Sequence, residues 1–131
     1  MKLMKNKARQ FTPLSNRVIG CAIEVHRNLG PGLLESTYQQ CLAHEFGLND
    51  IAFKLEYPLS VVYKDIQLDC GYRIDLLVED EIIVELKSVE KLLPIHEAQL
   101  LTYLKLADIK QGFLINFNVL QLKEGLKSFV I

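Results

Sequence analysis

The 131 residues predict an α/β sandwich built on a mixed β-sheet, and three changes of hydrophobic period carry that prediction. Apolar residues first recur every three or four positions, then every second position, and then return to helical spacing between two further apolar runs. The element order is two helices, three strands, and then a helix that links one strand to the next. Strands joined by short turns are antiparallel, whereas a helix between two strands allows a parallel crossover, so the sheet must be mixed.

Residues 1–11 have no period and carry Lys2, Lys5, Lys7 and Arg9, which reads as a flexible basic arm ahead of one domain spanning 12–131. Thr12-Pro13 supplies a cap followed by proline, the usual opening of a helix. Val18, Ala22, Val25 and Leu29 then repeat at helical spacing up to Gly30-Pro31-Gly32. A second helix carries Leu34, Tyr38, Cys41, Leu42 and Phe46 on its apolar side, with Gly47 expected to close it. Phe53, Leu55 and Tyr57, then Leu59, Val61 and Tyr63, alternate as strand residues do; Pro58 marks a bend or an edge, and Lys64-Asp65 a turn. Two further strands are expected at 72–78 and 82–89, separated by Glu79-Asp80-Glu81. Pro94 opens a third helix over 95–106, and strands at 112–117 and 126–131 close the chain.

Half of the residues are apolar, which disfavours disorder, and the formal net charge of −1 excludes a broad basic surface of the kind that binds duplex DNA unaided. Any contact with nucleic acid must be local or assisted by a metal. Cys21, Cys41 and Cys70 are odd in number and contain no Cys-x-x-Cys pair, so they fit neither a zinc site nor a disulfide framework. They read as reduced core thiols of a cytoplasmic protein. No apolar run is long enough for a signal peptide or a membrane span.

The informative residues are charges inside apolar runs. Asp75 lies within 72–78, and Glu85 and Lys87 lie within 82–89. An isolated ion taken out of water costs several kcal/mol even after relaxation, about the net stability of a small domain, unless it is paired or binds a metal. Glu85 and Lys87 are two residues apart and share one strand face. Asp75 can pair with Glu85 only if the hairpin turns through an odd loop such as Glu79-Asp80-Glu81, because a two-residue loop would pair Asp75 with Leu86. On the third helix His96, Gln99 and Tyr103 form a polar line at i, i+3 and i+7, where the bland reading is a solvated face with a half-buried tyrosine. Glu35, in a first helical turn, reads by itself as a dipole or capping residue.

The chemistry of these residue types suits phosphodiester hydrolysis. Asp75 and Glu85 offer hard oxygen ligands for Mg²⁺ or Mn²⁺, the Leu86 carbonyl a third, and Glu35 could complete the shell. Such a cation lowers the pKa of a water molecule and screens the phosphate charge. Lys87 is a compact positive charge suited to orienting the attacking water or stabilising the transition state, and Gln99 and Tyr103 could hold the lysine, the water or a phosphate oxygen.

Asp75, then Glu85-x-Lys87, then Gln99-x-x-x-Tyr103 resembles the active-site series of the PD-(D/E)xK nuclease superfamily in its RecB-like arrangement. Gly32-Leu33-Leu34-Glu35-Ser36-Thr37-Tyr38 resembles the signature of the small GxxExxY proteins, a branch of that superfamily, and the likeness runs from about Leu14 to Val130. Ile74 stands where the superfamily motif has proline. The resemblance implies a restriction-endonuclease-like α/β sandwich, a central mixed sheet flanked by helices, and a Mg²⁺- or Mn²⁺-dependent nuclease acting on DNA in preference to RNA. It also implies that His26 lies near the active cleft; His26 and His96 are the candidate substrate-binding histidines. A homodimer or a larger complex would suit a chain with no basic face of its own. Two other classes stay open: a nuclease fold that binds nucleic acid or serves a larger assembly without cutting, and a metal-dependent hydrolase of small phosphate esters.

Overall fold

The computed structural model describes residues 11–131; Lys2, Lys5, Lys7 and Arg9 of the expected arm lie outside them. Helix α1 spans Pro13–Leu29 and α2 spans Glu35–Leu48. The Thr12 Oγ1 accepts the Ser15 N–H at 3.1 Å, and Pro13 fills the first turn, where no N–H is needed. At the other end Gly30 takes φ +69°, a left-handed conformation that a side chain would resist, and donates its N–H to the His26 carbonyl at 2.8 Å. Gly47 does not close α2. The helix continues to Leu48 because the Asn49 side-chain amide donates to the Glu45 carbonyl at 2.8 Å and satisfies a terminal acceptor there.

The five strands are β1 (Phe53–Tyr63), β2 (Ile66–Val78), β3 (Ile82–Lys87), β4 (Gln111–Asn116) and β5 (Leu126–Val130), with α3 (Pro94–Ala107) between β3 and β4. They lie side by side in chain order, β3 and β4 parallel and the other neighbours antiparallel. Three helices on a five-stranded mixed sheet make an α/β fold consistent with the restriction-endonuclease-like class. Val18, Ala22 and Val25 of α1 and Tyr38, Leu42 and Phe46 of α2 pack on Leu76, Val84, Leu86 and Phe113 on one face of the sheet. On the other face Leu100, Tyr103 and Leu104 of α3 pack on Leu77, Ile83 and Leu114. Gly112 permits that second contact: a Cβ there would sit 2.9 Å from Leu100 Cδ1.

Two strand ends differ from the sequence expectation. The second strand begins at Ile66 and not at 72, because it pairs with β1 all the way to the Lys64-Asp65 turn, where both residues take positive φ as a two-residue hairpin requires. The third ends at Lys87 and not at 89, because the Asn116 side chain takes both backbone groups of Val89: Oδ1 accepts its N–H at 3.1 Å and Nδ2 donates to its carbonyl at 2.9 Å. The three thiols are free, but only Cys21 is buried; Cys70 stands exposed on β2, so it is no core residue. Among the described residues no helix is long and apolar enough to cross a membrane.

Candidate active site

The β2–β3 hairpin turns through three residues, Glu79-Asp80-Glu81, and pairs Val78 with Ile82, Leu77 with Ile83 and Leu76 with Val84. One step further along this register Asp75 faces Glu85. There the backbone ladder stops and side chains take its place. The Asp75 N–H donates to Glu85 Oε2 at 2.8 Å, and the Leu86 N–H donates to Asp75 Oδ2 at 2.8 Å. Each carboxylate thus satisfies a main-chain donor of the opposite strand, which holds both side chains in fixed rotamers at the fork. The strand alternation also breaks at this point: Leu76 packs toward α1 and α2, yet Ile74 joins Leu77 in the cluster under α3.

Burial and, after it, the Asp75 charge push the Glu85 carboxyl up to about 8 against the pull of the Asp75 N–H and of Lys87. Asp75 is pushed up to about 6 by burial, opposed by the Leu86 N–H and by Lys87 and helped by Glu56 and Glu35. Lys87 is half-buried, and among the described residues its amine forms no ion pair and no hydrogen bond. Its charge acts on Glu85 and Asp75 without direct contact, opposing the rise of both carboxyls.

Glu35, exposed in the first turn of α2, lines a cleft of about 210 Å³ together with Ser36, Gln39, Glu56, Asp75 and Leu86. Its approach is fixed by the turn before it. Tyr38 is fully buried, stacks on Phe117 with centroids 4.5 Å apart, donates its hydroxyl to the Gly30 carbonyl at 2.6 Å and accepts the Leu33 N–H at 3.2 Å. The Ser88 hydroxyl, one residue past Lys87, donates to the Leu33 carbonyl at 2.5 Å and ties this turn to the end of β3.

On the α3 side Gln99 Nε2 donates to the Tyr103 hydroxyl at 3.3 Å. Tyr103 is only 6 % exposed, not half-buried; burial raises its proton affinity, and the charges of Glu85 and Asp75 raise it further, which puts the hydroxyl within electrostatic reach of both. The two histidines are placed otherwise. His96 Nδ1 accepts the Leu93 N–H at 3.0 Å and serves as a helix cap, and His26 is buried with Nε2 2.8 Å from the Val119 carbonyl. Neither ring is among those gathered around Asp75.

Two residues of the cleft escape sequence reasoning. Leu55 pairs with Leu76 and Tyr57 with Ile74, so Glu56 lies across from Asp75 and extends the carboxylate row over three strands. Glu56 also takes φ +48°, which is uncommon for a side-chain-bearing residue in a strand and clusters at functional sites. Gln39 Nε2 donates to Glu56 Oε1 at 2.9 Å and to the Asp75 carbonyl at 3.0 Å. The i, i+4 spacing of Glu35 and Gln39 carries a signal for the second; nothing in the alternation marks the first.

The family model of the PD-(D/E)XK nuclease superfamily matches residues 12–129, nearly the whole described chain. The chain belongs to that superfamily. No curated protein and no solved structure matches it. The superfamily implies a divalent cation, and among the described residues no group of three or more His, Cys, Asp or Glu side chains is gathered to hold one. The donor chemistry nevertheless fits. Asp75 Oδ1 and Glu85 Oε1 take no hydrogen bond from the described protein, and a buried and a half-buried carboxyl, both with raised proton affinity, are hard oxygen donors that a cation would favour in their charged form.

Proposed function

We propose that this chain is a Mg²⁺- or Mn²⁺-dependent nuclease of the GxxExxY branch that hydrolyses phosphodiester bonds, with DNA as its first substrate. The observation that carries the reading is the reciprocal clamp of Asp75 and Glu85 at the strand fork, beside a Lys87 amine that forms no ion pair among the described residues. Nothing in stability favours that arrangement, since burying Glu85 and half-burying Asp75 and Lys87 without a direct ion pair among the described residues costs free energy.

Asp75 and Glu85 would hold the cation through their unbonded oxygens, with the Leu86 carbonyl and Glu35 as further donors. When bound, the cation would supply a lowered water pKa and neutralise charge on the phosphate. Lys87 shares its strand face with Glu85, and its charge favours the increased negative charge of the pentacoordinate state. Tyr103, held by Gln99, offers a hydroxyl toward the same carboxylates or a phosphate oxygen. Asn116 and Ser88 fix the backbone just after Lys87, so the lysine departs from a rigid strand end.

The test is degradation of plasmid and single-stranded DNA with Mg²⁺ or Mn²⁺, with Lys87→Ala as control. Cation-dependent cutting that Lys87→Ala loses supports the reading. Binding without cutting under any divalent cation overturns it in favour of a binding module, and release of phosphate from small esters alone would assign a different hydrolase.

A further inference from the structure

The β1–β2 hairpin extends well past the sheet. β3 pairs with β2 only over Leu76 to Val78, so from Leu59 and Tyr72 to the Lys64-Asp65 tip the hairpin is a two-stranded ribbon with no third strand beside it among the described residues. Such a ribbon is marginal in water on its own. Its two faces differ. Val61 pairs with Leu68 and Tyr63 with Ile66, and paired residues point the same way, so these four form one apolar face continuous with Leu59 and Tyr72. The other face holds Val62 and Ser60 with Gln67, whose amide donates to the Ser60 hydroxyl at 3.1 Å. On the apolar face Tyr63 is 60 % exposed, Ile66 59 %, Tyr72 46 % and Leu68 43 %.

We infer that this apolar ribbon face is a dimer interface, covered by the same face of a second copy of this chain across a two-fold axis. The inference goes beyond the proposed activity and does not depend on it. Charge argues against a nucleic-acid strand as occupant: between residues 59 and 72 the only charges are Lys64, Asp65 and Asp69, and a net negative segment with a single lysine offers phosphates little to replace their counterions. Aliphatic side chains interleaved with tyrosines suit a protein partner, and a near-neutral apolar face is complementary to itself in an isologous pair. Area agrees. The exposed side chains leave on the order of 400 Å² of apolar surface per copy, at the size where such patches mark interaction sites, and two copies together approach the roughly 1,000 Å² that a specific interface needs. An interface at that lower bound is expected to be weak, with dissociation in the micromolar range.

Sedimentation of the full chain between about 1 and 100 µM tests the inference, with Tyr63→Ser/Ile66→Ser on the apolar face and Val62→Lys on the opposite face. A wild-type dimer at high concentration, an apparent dissociation constant raised at least about a hundredfold by the double substitution, and an unchanged dimer for Val62→Lys support it. Amide exchange of the wild type gives a readout that needs no variant: exchange over 61–68 should slow as concentration rises. A wild type that stays monomeric at 100 µM, a double variant that still dimerises, or ribbon exchange independent of concentration would overturn the inference. Loss of oligothymidine binding by the double variant of a monomeric protein would also overturn it and assign the face to a nucleic-acid strand.

Discussion

At the scale of single residues, the proposed function rests on groups whose burial a bound cation would offset. In the proposed reading, Lys87→Ala removes a charge that acts mainly on the transition state. Turnover on DNA should fall at least about a hundredfold while Mn²⁺ binding persists, and a variant that cuts as well as the wild type would remove Lys87 from the chemistry. Proton linkage gives a second expectation. Glu85 and Asp75 both hold protons more tightly folded than unfolded, because burial disfavours their charged forms. Their contribution to stability is therefore full below the ordinary carboxylate range and is lost as pH rises through about 6 and then about 8. Asp75→Asn removes one titration and relieves the other. Without metal, the melting temperature of wild type relative to Asp75→Asn should fall from pH 5 to pH 9; a difference that is flat with pH would contradict the shifts.

Among the elements, the strand exit after Lys87 makes its own prediction. Asn116 is 2 % exposed and bonds both backbone groups of Val89 and the Asn118 N–H, so Asn116→Ala should cost about 1–3 kcal/mol in denaturant unfolding for the buried groups left unpaired. It should also lower turnover by loosening Lys87, whereas full stability in the variant would show that water replaces the amide. The element order and the hairpin register were legible in the sequence because both follow from counting: period separates helix from strand, and the odd loop brings Asp75 across from Glu85. A lone asparagine in the apolar run 112–117 carried the same kind of signal as Asp75 and could have marked Asn116. What was not legible depends on tertiary contacts. Glu56 becomes part of the cleft through a left-handed backbone angle and a bond from a helix distant in sequence, and neither leaves a trace in the local pattern. The ribbon's length was hidden because residues 66–71 contain Asp69 and Gly71, which interrupt alternation; the structure absorbs them in an irregular register between Leu59 and Val61. The hydrogen bonds of the two histidines were hidden for a related reason: His26 Nε2 lies 2.8 Å from the Val119 carbonyl and His96 Nδ1 accepts the Leu93 N–H, contacts that the helical spacing does not announce.

Across the whole molecule, the candidate site lies where β2 and β3 diverge, with Glu35 and Gln39 on α2 at one face and Tyr103 and Gln99 on α3 at the other. The net charge of −1 adds no long-range attraction for a polyanion, so in the proposed reading a bound cation would supply the local positive charge together with Lys87. A cation that binds only the folded chain raises its stability by RT ln(1 + [L]/Kd), roughly 2.7 kcal/mol at a hundred times Kd. The central claim, that Asp75 and Glu85 form the metal site, is tested most directly by thermal melts of wild type and Asp75→Asn with and without Mn²⁺ at pH 8. Wild type should gain several degrees on adding Mn²⁺, and Asp75→Asn, itself at least as stable as wild type without metal, should gain almost nothing. An equal rise in both proteins would contradict the claim.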